Sequence, residues 1–312
     1  MSHAGNLPPA SEDQLKLLRE LIGAGLLIES GVPGVYGHGE AFERVRERLE
    51  RRLSAEAHAR GAIKLRFPPV VPTRLVEANG YVGNFPHLVG TIFSFDGSEQ
   101  EAQVQADRAA VHEDWSEFQA PTEVTLVPAA CYPVYPAIAQ RGPLESGGVF
   151  VDAGGSWVYR HEPSHDPARR QIFHQHELVR LGEPHLVIDW RAEWSEFGLE
   201  LLRSFGLDAK LDVANDPFFG RRGRLLARSQ RAQDLKLELL VPIAGPEPTA
   251  CASFNHHLDH FASTWSIQLA SGETAHTACL GFGHERIVLA LLCAHGLDPR
   301  DWSPEIRSQL WD

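Results

Sequence analysis

The sequence predicts an α+β fold on a mainly antiparallel sheet flanked by helices. Three observations predict it. Stretches that read as strands outnumber the helices between them, so the strand–helix alternation of a parallel sheet is missing. "DLKLELLVPI" alternates strictly, with Leu235, Leu237, Leu239 and Val241 on one face and Lys236 and Glu238 on the other. "HERIVLALLCAHGLDP" is apolar nearly all round, which marks a buried helix, and Gly296 and Pro299 stop it.

The remaining elements follow in chain order. "DQLKLLRELIGAGLLIES" reads as an amphipathic helix closing near Gly23, followed by a glycine-rich turn, "SGVPGVYGHGE". In "EAFERVRERLERRLSAEAHARG", Phe42, Val45, Leu49 and Leu53 recur at helical spacing, Glu40–Arg44 and Glu47–Arg51 pair across one turn, and Gly61 ends the helix. "AIKLRFPPVV" is a strand broken by Pro68 and Pro69. "TEVTLVPA", "GGVFVDA" and "SWVYR" read as strands, with a hairpin turn at Ala153-Gly154-Gly155. "RRQIFHQHELVRLG" is another strand and "EWSEFGLELLRSFGL" a helix. "STWSIQLASGETAHTACLG" reads as strand, turn and strand. Residues 205–235 carry short helices of their own and read as a helical insertion in an otherwise single domain spanning 1–312.

Composition narrows the function. With 43% hydrophobic and 22% charged residues the chain is globular. No apolar run approaches the ~20 residues that span a bilayer, and "MSHAGNLPPASEDQ" lacks a basic-then-apolar leader, so no membrane association and a cytoplasmic location are expected. Net charge is −12, from 29 Lys+Arg against 41 Asp+Glu, which disfavours wholesale nucleic-acid binding. Cys131, Cys251, Cys279 and Cys293 are widely spaced, and their default role is that of small buried hydrophobes.

One hairpin stands out. Arg160 and Glu162 share a face of "WVYRHE", and Phe173, Gln175 and Glu177 share a face of "RRQIFHQHELV"; the loop between holds Arg169 and Arg170. The ordinary reading is a solvated sheet face with weak surface ion pairs. The functional reading is a nucleotide site: arginine binds phosphate oxygens bidentately, an aromatic ring stacks on a base, and a carboxylate receives an amino group or a metal. Arg286, just after Gly281 and Gly283, fits the same theme, although "GFGHER" is neither a dinucleotide fingerprint nor a Walker loop. Cys131, Glu177 and Cys279 would make an open zinc site, but spacing alone cannot select them over His174, His176, His256, His257 and His276.

At these residues the chain resembles a known family. "YRHE…RRQIFHQHE", "GFGHER" with its apolar helix, and the long helix 40–60 running into "LRFPP" resemble the second, third and first signature motifs of class II aminoacyl-tRNA synthetases. "KLELLVPI" and "TACASFN" resemble the seryl-tRNA synthetase strands between motifs two and three. "GVPGVYGHGEAFERV", "YVGNFPHLVGTIFSF", "ACYPVYP", "HTACLGFGHERI" and "HGLDPRDW" are similar to the amino acid:[carrier protein] ligases, truncated relatives of the methanogen-type seryl enzymes. The resemblance implies the class II catalytic core, ATP-dependent activation of glycine or alanine as an aminoacyl-adenylate, and transfer to the phosphopantetheine thiol of an acidic carrier protein. It implies a homodimer formed through the first motif.

It also implies roles, position by position. Cys131, Glu177 and Cys279 match the zinc ligands, with the open position taking the substrate's amino group. Arg160 matches the arginine on the α-phosphate, Glu162 its acidic partner near the adenine, and Phe173 the adenine-stacking ring. Arg169 and Arg170 fall near the distal phosphates, and Arg286 on the γ-phosphate side. Lys236, Ala250, Cys251, Ala252 and Ser253 fall where the family contacts ATP and ribose, and Asn255 on the amino-acid side. Two positions depart from the pattern. The metal-binding glutamate of the seryl enzymes aligns near Thr249, leaving Glu238 as its replacement for Mg²⁺, and His284 stands where an apolar residue is expected.

No long helical arm for tRNA is evident, since the first ~35 residues are too short for one and the net charge is negative. "RRGRLLARSQRAQDLK" (221–236) has six basic residues and one acidic, and on helical geometry Arg221, Arg224, Arg228 and Arg231 fall on one face. With Arg222 it is the expected dock for an acidic carrier protein, against the plainer reading of a solvated helix. The competing functions are a seryl-like aminoacyl-tRNA synthetase, a non-catalytic paralogue of the fold, and a structural dimer.

Overall fold

The computed structural model describes residues 9–214, 216, 227, 230, 231, 233–245 and 247–311. The expected carrier dock, Arg221, Arg222, Arg224 and Arg228, lies outside them. A seven-stranded sheet organises the chain. Its order is β3 (Ile63–Lys64), β7 (Val149–Tyr159), β8 (Ile172–Gly182), β12 (His276–Gly283), β11 (Thr249–His256), β10 (Lys236–Val241) and β9 (Lys210–Val213). Every pairing in it is antiparallel except β3 with β7. A smaller antiparallel sheet joins β4 (Val70–Pro72), β6 (Gln119–Leu126) and β5 (Thr91–Phe95), and β1 (Leu27–Glu29) pairs with β2 (Tyr36–His38). No described helix is long and apolar enough to cross a membrane.

One face of the large sheet is covered by α1 (Glu12–Gly23), α2 (Glu40–Ala59), α7 (Pro184–Ser204) and α9 (His284–His295). Ser11 and Gln14 close a capping box that starts α1, worth about 1 kcal/mol. The predicted apolar stripe of α2, Phe42, Val45, Leu49 and Leu53, is fully buried there with Trp194, Phe254 and Phe282. Truncating a buried tryptophan such as Trp194 costs about 3–5 kcal/mol. On the other face lie α3 (Thr73–Ala78), α4 (Tyr81–Asn84), α6 (Val134–Ala139) and α8 (His260–Trp265), around Tyr135, Val179 and Phe261. Helix α5 (Glu99–Ala110) buries no residue, and α10 (Pro304–Trp311) closes the described chain.

Four expectations are corrected. Ala153-Gly154-Gly155 is not a hairpin turn: β7 runs unbroken through it, and the register steps from Ala153↔Glu177 to Ser156↔Gln175. Two residues thus oppose His176 alone, which is a β-bulge. Gly155 takes a φ of +67°, and a Cβ at Gly154 would meet the His176 ring at 2.4 Å. The bulge flips the parity of β7, so that Val151 and Ala153 before it and Val158, Arg160 and Glu162 after it reach the same side. Second, "STWS" ends helix α8, and Gln268↔Thr274 is an isolated bridge. Third, the segment 205–235 is not wholly an insertion, because β9 is an edge strand of the main sheet. Fourth, Cys293 is exposed, since it lies beyond the buried stripe of α9.

Candidate functional site

The face of the large sheet opposite α2 holds a cavity of about 460 Å³. Alternation along three paired strands fills it. Phe173, Gln175 and Glu177 point in from β8, Cys279, Gly281 and Gly283 from β12, and Ser253 and Asn255 from β11. Beyond the bulge Arg160 and Glu162 enter from the end of β7, Lys236 and Glu238 from β10, and Cys131 from the loop before α6. Ala250, Cys251, Ala252 and Arg286 complete the shared wall. A Cβ at Gly281 would stand 2.9 Å from Gln175 Nε2 and 3.3 Å from Glu177 Oε1, so a side chain here would displace the cavity's polar lining.

At one end, two thiols and a carboxylate converge. The donor atoms of Cys131, Glu177 and Cys279 lie within 4.8 Å of one another, and all three residues are buried. The Cys131 N–H donates to Glu177 Oε2, and the Cys279 thiol donates to Glu177 Oε1 at 3.7 Å. Burial raises the pKa of Glu177, and it pushes the Cys131 thiol well up. Three groups able to carry negative charge thus share one buried corner, a donor set able to hold a metal ion. None of the rival histidines joins this trio. His174 and His176 lie on the opposite face, where His174 Nδ1 donates to Glu285 Oε1 at 2.9 Å and His176 sits 3.2 Å from Asp152. His256 pairs with His276 at 3.2 Å, while His257 stands 3.5 Å from Cys279 Sγ.

The other end is cationic. Arg160 lies over the Phe173 ring at 5.6 Å, and its Nε donates to the Pro128 carbonyl at 3.1 Å. Arg286 donates to the carbonyls of Ala168 and Ala250, each at 2.8 Å. Among the described residues neither arginine makes an ion pair; burial alone would lower the Arg160 pKa, but the fields of Tyr81, Glu162, Glu177 and Asp216 outweigh it and raise it, whereas burial lowers that of Arg286. Lys236 is held instead by Asp216 at 2.6 Å and Glu238 at 3.0 Å. Burial alone would lower its pKa; the two carboxylates outweigh that and raise it. For Asp216 burial acts upward, and Lys236 outweighs it to give a lowered pKa.

The two loop arginines separate. Arg169 is half exposed and reaches Glu162 at 3.5 Å, outside the cavity lining. Arg170 turns away from the cavity altogether. It is buried over the rings of Tyr36 and Phe42, donates to the Pro167 carbonyl at 3.1 Å, and donates to His38 Nε2 at 2.7 Å. Its place is the junction of β2, α2 and the loop, because two aromatic faces and a ring nitrogen there outweigh exposure. His38, His174 and Glu285 form a second group with donor atoms within 4.8 Å. Those atoms are already engaged by Arg170, Glu43 and one another, so this group is a closed network.

Sequence reading missed Asp216, Tyr132 and Phe261, which also line the cavity. Tyr132 adjoins Cys131 and was within reach of the same signal. Asp216 sits in a segment without any periodic pattern, and only the fold brings it to Lys236.

No protein-family model matches the chain. It is 42% identical over 281 residues to Amino acid--[acyl-carrier-protein] ligase 1 of Bradyrhizobium diazoefficiens, covering 90% of this chain and 86% of that protein. It is 29% identical over 202 residues to the type-2 serine--tRNA ligase of Methanopyrus kandleri, covering 59% of this chain and 37% of that one. In three dimensions it matches a chain from the crystal structure of A. aeolicus tRNASec in complex with M. kandleri SerRS. The TM-score is 0.78 at 20% identity, over 98% of this chain and 62% of the other. The mainly antiparallel seven-stranded sheet, with its cavity walled by β8, β11 and β12, has the fold of the class II aminoacyl-tRNA synthetase catalytic core. Within that class the chain belongs to the amino acid--[acyl-carrier-protein] ligase family.

Proposed function

We propose that this chain activates a small amino acid, glycine or alanine, with ATP and loads it onto the phosphopantetheine thiol of a carrier protein. The observation that carries the reading is convergence. Residues from four strands and two loops, which the sequence separates by more than a hundred positions, meet in one cavity with cations at one end and a thiol–carboxylate trio at the other.

In the first step a substrate carboxylate oxygen attacks the α-phosphorus of ATP. The bond to the bridging oxygen breaks and pyrophosphate leaves. Arg160 neutralises charge at the α-phosphate, Phe173 stacks on the adenine, Glu162 receives its amino group, and Arg286 holds the γ-phosphate side. Lys236 and the strand Ala250, Cys251, Ala252 and Ser253 meet the nucleotide; Arg169 stands at the outer end beside Glu162. ATP brings Mg²⁺, and Glu238, on the cavity wall beside Lys236, is the candidate carboxylate to receive it. In the second step the carrier's thiolate attacks the carbonyl carbon of the adenylate, a thioester forms, and AMP leaves.

Cys131, Glu177 and Cys279 fit zinc: two soft thiolates, one carboxylate, buried and within 4.8 Å. When bound, zinc would offer an open position to a free α-amine. Asn255 closes the amino-acid end, with its Oδ1 buried and without a hydrogen-bond partner among the described residues. The reading takes residues 1–312 as one catalytic domain working as a homodimer through α2, with the basic stretch from Arg221 to Arg228 as dock for an acidic carrier and no role for tRNA. Radiolabelled glycine or alanine tests it: label should appear on a phosphopantetheinylated carrier protein and not on tRNA. Label on tRNA would instead place the chain with the seryl-type enzymes.

A further inference from the structure

We infer that His257 is a positioning residue for the thiolate of Cys279, donating an Nε2–H···S hydrogen bond from outside the ligand set. This rests on the zinc reading above and goes beyond it, to what controls the sulfur.

The geometry comes from the backbone where the end of β11 lies beside β12. His257 follows β11, and its N–H donates to the Thr277 carbonyl at 2.9 Å; the Thr277 N–H donates to the Leu258 carbonyl at 2.9 Å. The residue is thereby pinned to β12 beside Cys279. Its ring is fixed too. Nδ1 lies 3.1 Å from the Thr277 hydroxyl, Nε2 lies 3.5 Å from Cys279 Sγ, and the Phe261 ring meets it edge-on at 4.8 Å. Thr277 is fully buried, so its hydroxyl has a reason to donate to Nδ1. That donation leaves the proton on Nε2, pointing at sulfur. In that tautomer the ring supplies one directed N–H to the sulfur.

Asn255 Nδ2 approaches the same sulfur at 3.6 Å. Two N–H groups therefore converge on Cys279. His257 lies outside the trio whose donor atoms all come within 4.8 Å of one another. Two thiolates and a carboxylate outweigh a divalent cation by one negative charge, in a cavity that must also admit a carboxylate and a triphosphate. Hydrogen bonds to a ligating sulfur draw off part of that charge and fix its direction, and such partners typically govern metal affinity by 10–100-fold.

The test uses the whole protein loaded with cobalt(II) as a spectroscopic stand-in for zinc, and zinc affinity by chelator competition. The variants are His257→Phe, which keeps a ring and loses the donor, His257→Gln, whose amide restores an N–H, and Thr277→Val, which removes the group that sets the tautomer. Wild type and H257Q should match in cobalt d–d bands and in affinity. H257F should bind zinc about 10–100-fold more weakly, with its sulfur-to-cobalt charge-transfer band moved to lower energy. T277V should move the same way by less, and it carries the test if H257F does not fold. Bands and affinity unchanged in H257F and T277V would overturn the inference and leave the zinc reading standing. A changed d–d pattern in H257Q would overturn it differently, by making His257 a ligand. Failure of wild type to hold cobalt or zinc would remove the zinc reading itself.

Discussion

On one face of β8, Phe173, Gln175 and Glu177 look into the cavity; on the other, His174 and His176 meet Glu285 and Asp152. The back face is paired mostly within the protein, although Arg170 Nη2 and His284 Nε2 are buried without a hydrogen-bond partner among the described residues. Glu285 accepts the His174 N–H at 2.9 Å and its ring N–H at 2.9 Å, Arg46 pairs with Glu43 at 2.6 Å and with Glu50 at 2.8 Å, and Arg170 donates to His38. The cavity face is less closely paired: Arg160 and Arg286 hydrogen-bond to carbonyls and make no ion pair among the described residues, and Cys131, Glu177 and Cys279 crowd together with Arg160 acting on Glu177 only through its field. The same strand therefore presents one polar surface closed largely by protein and one lined by groups that can meet ligands. Substitutions on the cavity face should cost chemistry at little cost in stability; those on the back face should do the reverse.

The largest effect belongs to the trio. Cys279→Ala should lose bound zinc and amino-acid-dependent ATP–pyrophosphate exchange together, read by metal analysis and exchange on one preparation. Full exchange in a zinc-free variant would separate the metal from substrate choice. Arg160→Ala should lower the exchange rate by about a hundred- to a thousand-fold while its melting temperature stays near wild type. On the back face, Glu285→Gln leaves His174 and Arg170 without their carboxylate. Breaking a buried pair from one side costs about 3–5 kcal/mol, so denaturant unfolding should register the loss before exchange does.

The back face also sets an acid limit. Burial drives the His284 pKa well below the ordinary 6.5, with His176 and Arg46 adding to it, so the folded protein keeps this ring neutral. The unfolded chain binds that proton and the folded one does not. Stability from this source is complete above about pH 6.5 and is lost as the pH falls below it. Burial alone would raise Glu43, but hydrogen bonds from Arg46 and His38 outweigh it and hold it at about 2 against the ordinary 4.5. Its contribution is complete above pH 4.5 and lost as the pH falls through 2. Melting temperature should thus decline in two stages on acidification. His284→Leu should flatten the first stage, since the His284 Nε2 it removes is buried without a partner among the described residues. The smallest effect belongs to the basic stretch: Arg224→Glu with Arg228→Glu should slow carrier loading roughly tenfold and spare exchange.

Much of the cavity was legible because strand parity is a local signal. Phe173, Gln175 and Glu177, and Lys236 with Glu238, were placed on common faces by alternation, and both faces are the cavity face. The trio was not legible by spacing, since Cys131, Glu177 and Cys279 meet only through the order β8–β12 and the loop before α6; resemblance supplied it. The bulge at Gly154-Gly155 looked like a turn because glycine pairs serve both. What decides is the His176 ring packed against Gly154, a contact twenty-two residues away that no local pattern contains. Arg170 was read with its neighbour Arg169, yet its destination is set by Tyr36, Phe42 and His38 from the start of the chain.

The central claim is that one end of the cavity handles ATP and the other selects a small free amino acid through a metal. ATP–pyrophosphate exchange measured with each standard amino acid, and repeated with a zinc chelator and with N-acetylglycine, tests it most directly. The account predicts exchange with glycine or alanine alone, abolished by the chelator and absent with the blocked amine. Exchange that survives zinc removal, or that accepts N-acetylglycine, would contradict it.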